Sequence, residues 1–335
     1  MRAESYFKWF LILIICAILF LFQVNKPIGL DVDSVAYYDL IINGDRSISG
    51  YTLEPVFRLL IDFCNLISDS PFRFLLAFYF CISVCIKVYC IKRDSDYIFL
   101  SFIAYVAFYS ILHDVVQIRV GLAAAIFLLS INDIANKNFT HFLLKVVLAT
   151  LCHYSALLAL PLYILNNQVF NKYKWLVLLI ISIMFGILNS HFVNLFSTMV
   201  LNIPGAIGAK LQRYIVLARE GVHSDIVLFN FYNMFLTLIA VFFCFYSKYL
   251  NGAFRIISIK IFVLSQCSFY ILSFLPVLAF RVSEFLGVTI VYLFTYFILI
   301  VKNKKTMYCA LLILLICIFI FNLLVKSYIN WGVLL

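Results

Sequence analysis

Residues 117–127 read QIRVGLAAAIF and put an arginine at the head of an apolar helical run. A guanidinium at the centre of a membrane helix costs about 2.5–3.5 kcal/mol on insertion scales, so Arg119 needs a partner or a task. Asp114 precedes it by five residues, and Gly121 with Ala123–Ala125 follows, small side chains that let another helix come close. This pattern places Arg119 near the outer end of its helix and facing a bundle. The plainer reading is a snorkelling or ion-paired arginine. His153, in ATLCHYSALLALPLY, is the histidine best enclosed by apolar sequence. It can donate, accept or take up a proton near neutral pH, or simply bond a backbone carbonyl. Glu54 stands before Pro55 in YTLEPVFRLLIDF, where it suits a helix N-terminus or, alternatively, a catalytic carboxylate. Arg58 follows on the same helical face and could pair with it. Arg281 and Glu284, three apart in LAFRVSEFLG, make either a structural ion pair or an arginine that Glu284 orients toward a phosphate.

The elements that must carry these residues are membrane helices. The 335 residues are 65% hydrophobic and 12% charged, with mean hydropathy +1.08, against roughly 25% charged in soluble domains. Apolar runs near the ~20 residues of a bilayer crossing recur throughout and do not alternate like strands. The expected fold is therefore all-α, a polytopic helical bundle of about 10–12 membrane segments in a single domain, residues 1–335. Candidate spans are 7–24, 71–90, 97–112, 115–135, 140–164, 174–190, 226–247, 258–279, 282–301 and 306–326. Residues 53–68 and 191–203 are ambiguous between short spans, re-entrant pieces and interfacial helices. The first run, WFLILIICAILFLFQV, lacks a small-x-small cleavage site and reads as a retained span. Cysteines inside apolar runs, without C-x-x-C spacing, read as buried packing rather than disulfides or a metal set.

The net charge of +10 comes without a basic tract interleaved with aromatics, which argues against a nucleic-acid partner. Lysines and arginines flanking the runs give orientation, because they are retained on the cytoplasmic side. If 53–68 does not fully cross and 191–203 completes a return, Lys87/Lys92/Arg93, Lys137/Lys145, Lys248/Arg255/Lys260 and Lys302/Lys304/Lys305 fall on one side with the N-terminus, whereas Lys172 and Lys174 violate the scheme. Seven of the ten arginines (Arg46, Arg58, Arg73, Arg119, Arg213, Arg219 and Arg281) then lie on or near the outer side. Arginine presents a planar fork for phosphate or carboxylate, so the outer face reads as the working face. Two long outer segments, 25–52 and 204–225, complete it. Arg213 and Arg219, beside Tyr214, either clamp an anionic ligand or are ordinary loop charges. Tyr37, Tyr38 and Tyr51 read as sugar platforms or interfacial belt residues.

No phosphate-binding glycine loop, H-E-x-x-H or G-x-S-x-G pattern occurs, so a ligand that is both anionic and membrane-embedded fits better than a soluble nucleotide. The succession LEPVFRLL, QIRVGLAAAIFLLSI, LCHYSALLALPLYIL and FRVSEFLG resembles the EpsG-like polysaccharide polymerases, akin to Wzy-type O-antigen polymerases. The resemblance implies a GT-C-like polymerase/ligase architecture in the bacterial inner membrane and a metal-independent glycosyltransferase without cofactor. Its substrates would be undecaprenyl-diphosphate-linked glycans at the periplasmic face, with membrane lipid and a chain-length regulator protein as further partners. It places Arg119, His153 and Arg281 at motif positions. Arg119, Arg281, Arg213 and Arg219 would then bind diphosphate, His153 or Glu54 would take the acceptor's proton, and Glu284, Asp114 and Arg58 would support them. A lipid-linked oligosaccharide flippase, or a membrane glycan ligase or acyltransferase, is the alternative.

Overall fold

The computed structural model describes residues 2–43, 53–188, 227–326 and 328–333, with residues 208, 211, 212, 215 and 216. Arg46, Tyr51, Arg213, Arg219 and the 191–203 segment lie outside the described residues. Within them the protein is all-α apart from one isolated bridge between Asp31 and Ile329. The helices are α1 (Arg2–Asn25), α2 (Ser34–Asn43), α3 (Pro55–Ile67), α4 (Pro71–Asp94), α5 (Ile98–Tyr105), α6 (Ile118–Ala135), α7 (Phe139–Cys152), α8 (Lys172–Leu188), α9 (Phe231–Tyr246), α10 (Ala253–Ile271), α11 (Pro276–Gly287), α12 (Ile290–Ile300) and α13 (Lys304–Leu324). A π-helix, Val106–Val116, continues α5, and a 3-10 helix, Tyr154–Ile164, follows α7. Lipid offers no hydrogen bonds to the backbone, so apolar runs of this length settle as helices.

Seven of these helical stretches are long and apolar enough to cross a membrane, or eight when α11 and α12, bent by 49° at Val288–Thr289, count as one broken span. The protein is a multi-pass membrane protein. Residues 53–68, ambiguous by sequence, form the 13-residue α3, too short to cross and exposing Leu59 and Leu66. The expected spans 258–279 and 282–301 shift: one helix ends at Ile271, and the next begins at Pro276 and bends.

Residues 140–164 do not make one crossing. They fold out and back, turning at His153, whose backbone is extended (φ −157°, ψ 124°). Lys137 Nζ donates to the carbonyls of Tyr163 and Leu165, Tyr163 OH donates to Lys137 O, and Asn167 donates to Ala135 O, so both ends of the hairpin meet. The limbs match in length. Fourteen α-helical residues rise about 21 Å and eleven 3-10 residues about 22 Å. This hairpin also removes the conflict over Lys172 and Lys174. The chain returns to the lysine-rich end before α8, where Lys260 Nζ binds the carbonyls of Asn166 and Val169 and Lys172 lies over Phe245.

The bundle thus has two chemically distinct ends. At the lysine-rich end, Arg93–Asp94, Lys145–Asp133 and Arg255–Asp96 pair. The opposite end holds Lys26, Asp31, Glu54, Arg119, His153, Arg281, Glu284 and Lys326, and every helix break noted above except that at Val288–Thr289 opens onto it. Between the ends, Asp114 accepts from Ser83 Oγ (2.6 Å), Tyr105 OH (2.6 Å) and Lys87 Nζ (2.7 and 2.8 Å). Lys87, grouped with the flanking lysines by sequence, is completely buried in this network, and Asp114 serves it rather than Arg119. The cysteines of the apolar runs also divide: Cys152, Cys244 and Cys267 are buried as expected, Cys16 is half-buried, and Cys81, Cys85, Cys309 and Cys317 are exposed.

Stranding one member of a buried ion pair costs about 3–5 kcal/mol, whereas replacing both by apolar residues of similar volume is close to neutral. Asp114→Ala should therefore sharply lower the thermal unfolding temperature in detergent, and the double variant Lys87→Met with Asp114→Leu should recover most of the loss.

Candidate functional site

Three chain segments converge on Glu54. Its position before Pro55 starts α3, and its carboxylate is buried at the arginine end of the bundle. Arg119 Nη1 donates to Oε2 at 2.7 Å, and His153 Nδ1 lies 2.9 Å from Oε1. Arg119 reaches Glu54 because the π-helix ends at Gln117, whose N–H bonds Leu112 O, and α6 restarts immediately. Gly121 is required at this reversal: a Cβ there would stand 2.0 Å from His113 O. The guanidinium lies over the rings of Phe57 (4.8 Å) and Tyr37 (5.3 Å), a contact that suits its weakly hydrated plane. His153 arrives as the apex of the hairpin. Glu54 and His153 are essentially inaccessible, while a fifth of the Arg119 side chain remains exposed.

Beside this triad opens a cavity of about 770 Å³, with Asp33, Gln117, Arg281, Glu284 and Lys326 among its polar walls and Tyr232, Phe280 and Phe321 among its apolar ones. Lys326 Nζ sits 3.3 Å from the Tyr232 ring centroid and donates to Tyr328 OH at 3.1 Å. Burial pulls Lys326 down to about 8, with Glu284 opposing the fall. One side of the cavity is a strap made of two distant segments. Asn330 N–H donates to Leu30 O, Lys26 pairs with Asp31 at 2.8 Å, and Lys26 Nζ also donates to Val115 O. Burial lowers the Lys26 pKa and raises that of Asp31, and each partner's charge offsets the other's shift. Tyr37 connects cavity and triad. Burial and Asp33 raise its pKa, while Arg119 and Arg281 both act against that rise, so the fields of the two guanidinium groups overlap at one phenol.

The structure therefore gathers Glu54, Arg119 and His153 in direct contact and sets Arg281 and Glu284 on the neighbouring cavity wall. It does not bring Asp114 to either. Arg58 is exposed on α3, its N–H bonding Glu54 O. Arg281 and Glu284 make no ion pair despite their spacing; Lys326 and Arg281 both act on the Glu284 carboxylate, Lys326 the more strongly. Tyr37 is buried under Arg119 and is not a sugar platform. Sequence reading missed Lys326 and Asp33 as cavity residues. The one signal for Lys326 was a lysine at the very end of the last apolar run. Both oxygens of Glu54 have a neighbour, the Arg119 guanidinium at one and the His153 ring at the other. Among the described residues no cluster of metal-ligating side chains occurs.

A helical membrane protein with a large, half-apolar, cation-bearing cavity beside a buried Glu–Arg–His cluster is suited to amphiphilic anions. The chain matches the EpsG family model over residues 8–333 and belongs to the EpsG family, a Wzy-like polymerase family. Membership implies a glycosyltransferase-like polymerase of polysaccharide. No curated protein and no solved structure matches the chain.

Because Glu54 and Arg119 share one short bond inside the bundle, their substitutions should not add. A double-mutant cycle of Glu54→Ala and Arg119→Ala, read by thermal unfolding, is expected to give a coupling of about 1–3 kcal/mol, whereas Glu54→Ala paired with Asp114→Ala should be additive.

Proposed function

We propose that this protein joins undecaprenyl-diphosphate-linked oligosaccharide repeat units into O-antigen, capsule or exopolysaccharide. The growing glycan on its lipid diphosphate is the donor, and a hydroxyl of the incoming lipid-linked unit attacks the anomeric carbon. The bond from that carbon to the phosphate oxygen breaks, and its electron pair leaves on undecaprenyl diphosphate. The observation that carries this reading is the cavity wall bearing Arg281 and Lys326 within an apolar frame. It offers charge for a diphosphate and hydrocarbon-like surface for the first part of a lipid.

Negative charge grows on the leaving diphosphate, and fixed cations in a poorly hydrated site stabilise such charge most. Arg281 supplies a fork, Lys326 a point charge, and Arg119 a third cation whose direction is set by Glu54 and His153. These cations stand where other glycosyltransferases use a metal. The lysine-rich end is cytoplasmic under the positive-inside rule, which puts the cavity at the periplasmic face of the inner membrane. Glu54 and His153 act here as the frame that aims Arg119.

The reading is tested with the full-length protein in lipid vesicles, supplied with lipid-linked repeat units isolated from cells lacking it. A ladder of lengthening glycans is expected; hydrolysis or translocation without elongation would refute it. In the same vesicles Arg281→Lys, which keeps charge but loses the fork, should weaken undecaprenyl diphosphate binding about tenfold, or about 1.4 kcal/mol. Binding should also depend on pH. Lys326 is pulled to about 8, so it loses its charge as pH rises from about 7 to 9 and affinity for the anion should fall across that interval. Lys326→Arg should flatten the dependence, since arginine stays charged throughout.

A further inference from the structure

The acceptor's proton needs a destination in this transfer, and the cavity contains a group suited to take it. Glu284 and Lys326 belong to the wall of the main cavity and also to that of a recess of about 30 Å³ leading inward between Tyr109, Gln266 and Ser283. They stand where the two spaces meet. A recess of this size admits a single water or hydroxyl group. Glu284 Oε2 is buried and accepts no hydrogen bond from the described residues. An unpartnered carboxylate oxygen in such surroundings is costly, which makes it a receptive site for a donated O–H. The other carboxylates nearby are less suited. Glu54 is engaged by Arg119 and His153, and Asp33 accepts from Tyr37 at 3.4 Å.

We propose that Glu284 is the catalytic base of the transfer, with Lys326 as its counter-charge, and that the recess beside them holds the attacking hydroxyl of the acceptor sugar. This rests on the polymerase reading. The acceptor O–H proton passes to Glu284 Oε2 as the oxygen forms its bond to the anomeric carbon. The anomeric C–O bond to phosphate breaks, the electron pair goes to the diphosphate, and Arg281 meets the new charge. Protonated Glu284 then returns its proton to water as the products part. Lys326 is held for its role by the Tyr232 ring and by Tyr328 OH, which leave donors of its ammonium for the carboxylate or the phosphate. The groups facing Glu284 are Arg281 on its own helix, Tyr109 of the π-helix, Tyr232 of α9, Lys326 and Tyr328 of the C-terminal segment, and Asp33 across the cavity.

Full-length wild-type, Glu284→Gln, Glu284→Asp and Lys326→Met proteins are compared in vesicles with the isolated lipid-linked repeat units, reading both elongation rate against pH and retention of undecaprenyl diphosphate. Glu284→Gln should elongate about 100-fold more slowly while retaining the lipid diphosphate within about threefold. Glu284→Asp, which keeps a carboxylate on a shorter stem, should recover part of that rate. Lys326→Met should move the acid limb of the rate profile to higher pH, because the carboxylate loses the charge that favours its ionised form. Wild-type elongation in Glu284→Gln, or a parallel loss of elongation and lipid diphosphate binding, would overturn the assignment. Should Glu284→Gln fail to fold, wild-type rate and profile in Glu284→Asp together with an unmoved profile in Lys326→Met would overturn it equally. If the wild type itself does not elongate, the polymerase reading fails instead.

Discussion

The carboxylate of Glu54 fastens three parts of the chain that sequence separates by many residues: the start of α3, the head of α6 and the apex of the α7 hairpin. A buried guanidinium is tolerable only with its charge met and its donors satisfied. Arg119 meets its charge by lying against Glu54 and shelters its plane over the faces of Phe57 and Tyr37. The same carboxylate meets the apex of the hairpin, where His153 Nδ1 lies 2.9 Å from Oε1. It also fixes the direction of a cation at the end of the protein where the main cavity opens.

Backbone irregularities have a common purpose in this fold. The π-helix stops at Gln117, α7 stops at His153, and α11 bends against α12 after Gly287. Within a membrane, broken helices are tolerated where they are buried in protein or line a cavity. The first two breaks bring Arg119 and His153 to Glu54. Gly287 fits the same scheme, since a Cβ there would come within 2.8 Å of Tyr109 OH at the inner recess. The strap of residues 26–33 and 328–330 then covers one side of the cavity with its own buried Lys26–Asp31 pair.

Two groups of charges with different tasks emerge. The Glu54–Arg119–His153 group is closed, with Arg119 on one oxygen of Glu54 and His153 beside the other. The Asp33–Arg281–Glu284–Lys326 group is open, lining a space and leaving a carboxylate oxygen without a partner among the described residues. The open group lines the cavity, and the closed group holds Arg119 in place beside it. Membership of the EpsG family and this division of labour agree on a polymerase-like membrane enzyme.

Much of this is legible in the amino-acid sequence. Apolar runs of bilayer length dictate an all-α membrane bundle because lipid leaves the backbone no other partner. Arginines inside such runs stand out because their cost demands a partner or a task. Glu54, Arg119, His153, Arg281 and Glu284 stand out on those grounds alone. Their partners do not. Local spacing suggests Arg281 with Glu284 and gives Asp114 to the Arg119 side, whereas packing sends Asp114 to Lys87 and puts Lys326 on the same cavity wall as Glu284. Hydropathy likewise cannot separate a crossing from a hairpin of equal length, since both bury the same apolar surface. Sequence by itself determined which residues needed partners and which medium surrounds them. Only tertiary structure decided which partners they have, because a buried charge is satisfied by whatever lies within about 3 Å of it in space, however distant along the chain.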